Sequence, residues 1–431
     1  MNRNSWSIGF PSIIRTLTRP RSSSTVSLCP SRRARSLHRT AMLSSAWIST
    51  PREFPTSGFE LLDASSKIEE ETLPTYSPEK YYLVQQGEVL NDRYPVLAKL
   101  GYGVTSTVWF ARDLVDSTYV VLKIYVLGQE REHELNVYKH ITSIETDHPG
   151  RKFIRKMLSH FYVQGPSGRH ICPVHEPLGM NANEFLRHIR SRTMTLESMK
   201  PAIRQLLGVL DFLHSVARLI HTDVQLKNLL VPTPSSAALS DFEKILKDRT
   251  IYTTSRFPTG DGLPLLGDFG EARLGDEENI GDIMPDYYRA PEVDIWSVAM
   301  IAWDIVSSQT LIKGEARDGI FDDGVHIAEL VALLGPPPQE FLEKRDLSSV
   351  FWDESGKWKN LVPAPDRTLE NLAVNIQGED VEGFLRWLRL ALQWNPEDRP
   401  TVLELLMDPW LMKGLNMRKK EPKDSEEKTQ V

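Results

Sequence analysis

Two short stretches hold residues whose types and spacing suit transfer of a group to a hydroxyl. In Leu219–Leu230, His221-Thr222-Asp223 is followed five positions after the aspartate by Asn228; Leu266-Gly267-Asp268-Phe269-Gly270 comes further on. A carboxylate at Asp223 can accept the proton of an attacking hydroxyl. An amide oxygen at Asn228 and a second carboxylate at Asp268 can hold a hard cation. The apolar pairs Leu219-Ile220 and Leu229-Leu230 predict buried anchors on both sides of the loop. Either motif alone is weak, but together and in this order they predict phosphoryl transfer.

Upstream features fit that chemistry. Leu100-Gly101-Tyr102-Gly103-Val104-Thr105-Ser106-Thr107-Val108 matches G-x-G-x-x-[G/S]-x-V. Its two glycines let backbone amides approach phosphate oxygens, and Ser106 stands at the third glycine position. Lys123 is alone in the apolar run Val120-Val121-Leu122-Lys123-Ile124, where a lysine would ordinarily snorkel. It therefore needs a buried task, and pairing with nucleotide phosphates is one. Glu130, Glu132 and Glu134 follow on one helix, and Glu134 is the preferred ion-pair partner.

The elements that must position these residues are legible in the periodicity. Val96–Gly101 with Ser106–Asp113, then Thr118–Val126, then Phe161–Val163 with His170–Val174 read as antiparallel strands. Gln129–Ile141 reads as a helix among them. From Leu196 to Leu213 apolar residues recur at helical spacing, and further helices are predicted over 294–307, Phe384–Trp394 and Thr401–Leu411. The chain divides into a leader (1–55), an N-terminal extension expected to wrap the first lobe (56–93), a strand-rich lobe (94–178), a helical lobe (179–413) and a charged tail (414–431). No internal repeat is visible.

The 431 residues suit two lobes with extensions, and two cysteines, Cys29 and Cys172, cannot form a disulfide framework. No apolar run is long enough to span a membrane. Nine of the 51 basic residues lie in 1–52, which has no acid, so the rest holds 42 basic and 58 acidic side chains, a balance of −16. An acidic body suits a basic protein substrate better than nucleic acid, although acidity also serves solubility alone. The Arg- and Ser-rich leader has the composition of a mitochondrial presequence or of an untargeted basic tail.

Lys123, Glu134, His221-Thr222-Asp223, Asp268-Phe269-Gly270 and Ala290-Pro291-Glu292 together resemble a eukaryotic protein kinase over residues 74–412. The glycine loop with Ser106-Thr107-Val108-Trp109, His221-Thr222-Asp223 and Leu330–Gly335 are similar to the SR-protein kinases of the CMGC group. Asp223–Asn228 and Ile283-Met284-Pro285-Asp286 resemble their fungal branch. The resemblance implies an α+β bilobal kinase fold, with a small antiparallel sheet and one helix in the N-lobe and a mainly helical C-lobe. It implies ATP and Mg²⁺ as cofactors, with Leu100–Val108 and Lys123 at the phosphates. A hinge at Glu176-Pro177-Leu178 would contact adenine, Asn228 and Asp268 would bind metal, and Asp223 would be the base. Transfer to serine or threonine of a protein substrate follows, with Arg/Ser-rich, splicing-factor-like proteins as one class. A monomer in the cytoplasm and nucleus, without direct nucleic-acid contact, is expected; a working presequence would send it to mitochondria instead.

Three departures stand out. Gln225 occupies the place of a lysine that steadies the γ-phosphate, with Lys227 as a compensating cation. Thr222 replaces the arginine that grips a phosphorylated activation loop. Only Val293 separates Glu292 from Asp294, whereas the family has a longer segment there. One residue spans less than about 7 Å. Pairing Glu292 with Arg399 while Asp294 caps the catalytic loop is therefore expected to be difficult. An ATP-binding pseudokinase or scaffold is accordingly the alternative reading. A small-molecule phosphotransferase ranks last, because that type lacks the Ala290-Pro291-Glu292 and Trp394–Arg399 regions.

Overall fold

Alternating side chains of the first strands bury two faces, and that double burial organises the smaller lobe. The structure, a computed structural model, describes Asp63 and residues 65–128, 132–233, 235–246, 254–255, 259–275, 292–314, 322–343, 348–359 and 361–415. Strands β1 (Val89–Leu90), β2 (Tyr94–Tyr102), β3 (Ser106–Asp113), β4 (Thr118–Tyr125), β5 (Met157–Gly165) and β6 (Gly168–His175) form one sheet of order β1-β2-β3-β4-β6-β5. Every neighbouring pair is antiparallel. On one face Trp109, Ala111, Val120, Leu122 and Ile124 pack with Phe161, Cys172 and Val174. Phe110, between Trp109 and Ala111, points to the other face, as the strand period of two requires.

That second face is covered from the other lobe. Helix α1 (His133–Ser143) and strand β7 (Leu178–Asn181) lead to α2 (Ala182–His188) and the sixteen-residue α3 (Leu196–Asp211). The Thr195 hydroxyl caps α3 by accepting from Ser198 N. A π-helical turn, Phe212–Ala217, ends at Arg218 in the left-handed region and delivers the chain to β8 (Leu219–Ile220). After β9 (Leu229–Pro232) comes α4 (Ser236–Ile245), before β10 (Leu265–Leu266) and β11 (Arg273–Leu274). Leu239, Phe242 and Leu246 pack on Phe110, Leu97 and Tyr119 of the sheet. Glu243 accepts from Arg112 and from the Tyr119 hydroxyl.

The helical lobe is centred on α5 (Glu292–Val306), whose Val298, Ala299, Ala302 and Trp303 are fully enclosed against Leu206, Leu210, Phe384 and Trp387. Helix α6 (Asp323–Leu334) starts at an Asp322 cap and stops at Gly335, with φ +79°. The stretch Thr401–Leu411, expected as one helix, is two: Val402–Leu406 and Pro409–Met412. Pro409 lacks the N–H that an unbroken helix needs and starts the second one, behind the Asp408 cap. Among the described residues no helix is long and apolar enough to cross a membrane.

Candidate functional site

Strand β4 places Lys123 Nζ 2.7 Å from Glu134 Oε2 on α1 and 2.8 Å from Asp268 Oδ1. Burial opposes the lysine's charge, yet Glu134 and Asp268 outweigh it and hold the ammonium protonated beyond its ordinary range. Lys123 in turn keeps the Asp268 carboxyl below its usual range. Of the glutamates weighed for this partnership, Glu134 makes the contact, enclosed at 2% exposure, Glu132 accepts from the Tyr162 hydroxyl, and Glu130 lies outside the described residues. Such a buried triad is not a source of stability in itself. It holds a cation at a fixed point beside the cleft.

The glycine-bearing turn joins β2 to β3, closed by Gly103 N donating to Ser106 O at 2.9 Å. A Cβ added at Gly101 would meet nothing within 4 Å, and one at Gly103 only the Ser106 carbonyl, at 4.0 Å. The folded chain therefore has room for side chains here. The fold itself does not require glycine at either position. Tyr81, from the N-terminal extension, donates its hydroxyl to Gly103 O at 3.1 Å. The same extension places Glu69 and Glu70 on the buried Lys99 of β2.

The catalytic-loop residues converge as well. Asn228 Nδ2 donates to both the carbonyl and Oδ2 of Asp223, each at 2.8 Å. The Gln225 amide donates to Asp223 Oδ1. Its hydrogen bond thus goes to the carboxylate, a partner not foreseen from the sequence. Lys227 is exposed, with no hydrogen bond or ion pair among the described residues. Asp268 is joined to the loop through its neighbour, since Gly267 N donates to Asn228 O at 2.9 Å. Thr222 and Asp268 both hold left-handed backbone conformations, φ +63° and +62°, strain of a kind that concentrates at functional sites.

Asp294 anchors this loop. It is fully buried, accepts from His221 N and Thr222 N at 2.9 Å each, and meets His214 Nε2 at 2.8 Å. Burial alone would raise its carboxyl, but the His214 and backbone hydrogen bonds win and lower it. One residue after Val293, the capping task is therefore fulfilled. The Glu292 side chain and Ile283–Pro291 lie outside the described residues, so the pairing expected of Glu292 does too. Arg399 donates to Gln393 O and lies over the Trp296 ring. The Thr222 hydroxyl donates to Glu271 O at 2.7 Å, tying the segment after Asp268 to the loop.

At the expected hinge, Glu176 turns its carboxylate onto Lys156 N at 3.0 Å, and Leu178 pairs with Pro232. The residues at hand fit a nucleotide with a divalent cation. Among the described residues no group of three His, Cys, Asp or Glu could hold a metal. One carboxylate and one amide oxygen, completed by phosphate oxygens, is the sparse oxygen set a hard cation accepts.

No family model matches the chain. It is similar to a serine/threonine protein kinase of Aspergillus fumigatus, 41% identical over 379 residues, 84% of this chain and 96% of that one. The serine/threonine-protein kinase SRPK of Physarum polycephalum is 26% identical over 394 residues, 80% of this chain and 91% of its own. The SRSF protein kinase 3 of Mus musculus is 32% identical over 171 residues, 39% of this chain and 30% of its own.

Proposed function

The chain belongs to the SR-protein-kinase-like serine/threonine protein kinases, and from that premise we propose the task of each residue in its site. It is an ATP-dependent kinase with protein substrates and a divalent cation, and the scaffold without catalysis is not favoured. The observation that carries the assignment is the convergence of Lys123, Glu134 and Asp268 next to an Asp223 held by Asn228 and Gln225. Asp223 accepts the proton of the substrate hydroxyl as it attacks, and its two amide donors fix where its oxygens point. Lys123, released from Asp268, pairs with phosphate oxygens while Glu134 retains it. The glycine loop Leu100–Val108 covers the phosphates, and Glu176 and Leu178 offer backbone groups to the adenine.

Asp268 and Asn228 hold the cation, which we assign as Mg²⁺ because the donors are all oxygen and few. When bound, it offsets negative charge on the phosphate oxygens. Basic, Arg/Ser-rich chains are the proposed substrate class, supported by the acidic balance of the body and by a relative named an SRSF protein kinase. We further assign the enzyme as a monomer of cytoplasm and nucleus. A fluorescent protein fused to residues 1–52 that collects in mitochondria would overturn that location.

The test of the catalytic reading uses the purified chain, ATP and a basic Ser-containing peptide. Asp223→Asn should lower kcat by about a hundredfold or more, while Mg·ATP still raises the melting temperature. Lys123→Met should shrink that thermal shift. Full turnover by Asp223→Asn would remove the aspartate from its assigned role.

A further inference from the structure

The tip of the glycine loop is held by polar ties rather than by packing. Tyr102, Val104 and Thr105 are exposed there, Val104 at 54%. Gly103 N closes the turn on Ser106 O, and Thr105 O accepts at 2.9 Å from Val126 N, just past β4. The third tie comes from outside the sheet. Tyr81 donates its hydroxyl to Gly103 O at 3.1 Å, the one side-chain hydrogen bond to residues 101–105 among the described residues.

A tie is as firm as the part that carries it, and the N-terminal extension is fastened at several points. Tyr81 is 5% exposed, with its ring 4.9 Å from that of Tyr76. Beside it, Lys80 O accepts from Leu127 N at 2.9 Å. Further back, Glu69 and Glu70 close on the Lys99 ammonium, 4% exposed and two residues before Gly101 on β2. Glu69 also accepts from Thr254 N, and Ser255 N donates to Lys99 O at 2.8 Å. The segment that presents Tyr81 is thus fastened both to β2 and to the chain leaving β4.

The tie fixes a peptide plane. In a trans peptide the carbonyl and the following N–H point in opposite directions, so Gly103 O held toward Tyr81 turns Val104 N–H the other way. That N–H has no hydrogen bond among the described residues, and a backbone donor of this kind suits an anion. We propose that Tyr81 is a positioning residue for phosphoryl transfer: its hydroxyl fixes the Gly103–Val104 peptide, so that the tip is set for nucleotide phosphates before ATP arrives. The inference rests on the reading of the glycine loop as the phosphate cover. Without the hydroxyl, ATP itself must order the tip, and the loss shows in binding. Adenosine, which has no phosphates, is indifferent to it.

Calorimetric titration of the full chain with Mg·ATP and with adenosine, joined to initial rates, tests the proposal. Tyr81→Phe keeps the buried ring and removes only the hydroxyl. It should weaken Mg·ATP about three- to tenfold, the equivalent of one hydrogen bond. Adenosine binding, kcat and the KM for peptide should stay nearly unchanged. Gly103→Val, for which the fold has room, checks the loop itself and should weaken Mg·ATP about tenfold or more while sparing adenosine. If Gly103→Val does so and Tyr81→Phe does not, Tyr81 has no positioning role. If neither variant separates ATP from adenosine, the loop does not cover the phosphates and both readings fall. Equal losses of ATP and adenosine in Tyr81→Phe would reduce the tie to general support of the lobe and overturn the proposal.

Discussion

Gln225 is the residue at which this site departs furthest from a lysine-bearing catalytic loop, and its amide is spent on Asp223 rather than left facing the cleft. As a positioning residue it should act on kcat more than on KM. Gln225→Ala is expected to lower kcat about tenfold, the worth of a hydrogen bond to a charged group, with the KM for ATP nearly unchanged in initial-rate assays. Equal rises in both KM values with kcat intact would contradict it. Asp294 makes a different prediction. Its folded carboxyl titrates below its unfolded value. Its stabilisation is therefore complete above about pH 4 and lost as pH falls through the lower folded value. Asp294→Asn should cost about 3 kcal/mol at neutral pH, and urea unfolding at stepped pH should show a shallower acid limb than in the wild type. Parallel acid limbs would remove Asp294 as the loop's charged anchor. The contacts of Lys123 with Glu134 and Asp268, and of Asn228 with Asp223, agree with the spacing read from the sequence, and the roles proposed for these residues explain why those types come in that order. The partner of Gln225 was not legible there, since spacing along a chain does not tell which way an amide points.

Strands and the long helix were readable to within a few residues, since their apolar periods report burial directly. Helix α4 shows the limit of that signal. Ser235 caps it, and Leu239, Phe242 and Leu246 recur at helical spacing, yet nothing local says that they face a sheet more than a hundred residues earlier in the chain. In the fold, α4 leaves the helical lobe and lies on β2–β4, and nearby Ser255 N donates to Lys99 O. The insertion thus braces the lobe carrying the glycine loop, and its apolar contacts outweigh its ion pair. Leu239→Ala should cost about 2–4 kcal/mol of unfolding free energy. A double-mutant cycle between Arg112 and Glu243 should give about 1 kcal/mol, since the arginine keeps 28% of its side-chain surface in solvent. A Leu239→Ala chain as stable as the wild type would show that α4 does not brace the lobe.

Across the whole molecule the acids outside residues 1–52 exceed the bases by 16, but not all of them are available to a substrate. Glu329, one of the acids near Leu330–Gly335, turns inward. It accepts from Lys313 N and Gly314 N and pairs with Arg367 at 2.6 Å. Asp322 is committed to the cap of α6, accepting from Val325 N. Asp323 beside it is exposed. On the proposed reading of a basic peptide substrate, attraction would come from the general field and from exposed acids such as Asp323, and exposed charges of that kind are screened by salt over about 10 Å. Raising ionic strength from about 50 to 200 mM should lift the KM for an Arg/Ser-rich peptide several-fold and leave kcat alone, because steering changes encounter more than chemistry. The KM for a neutral Ser-containing peptide should hardly move. Asp323→Lys should raise the basic peptide's KM in low salt and lose that effect in high salt, whereas Glu329→Gln should lower stability instead. Equal KM values for both peptides, indifferent to salt, would rule out charge as the basis of substrate choice.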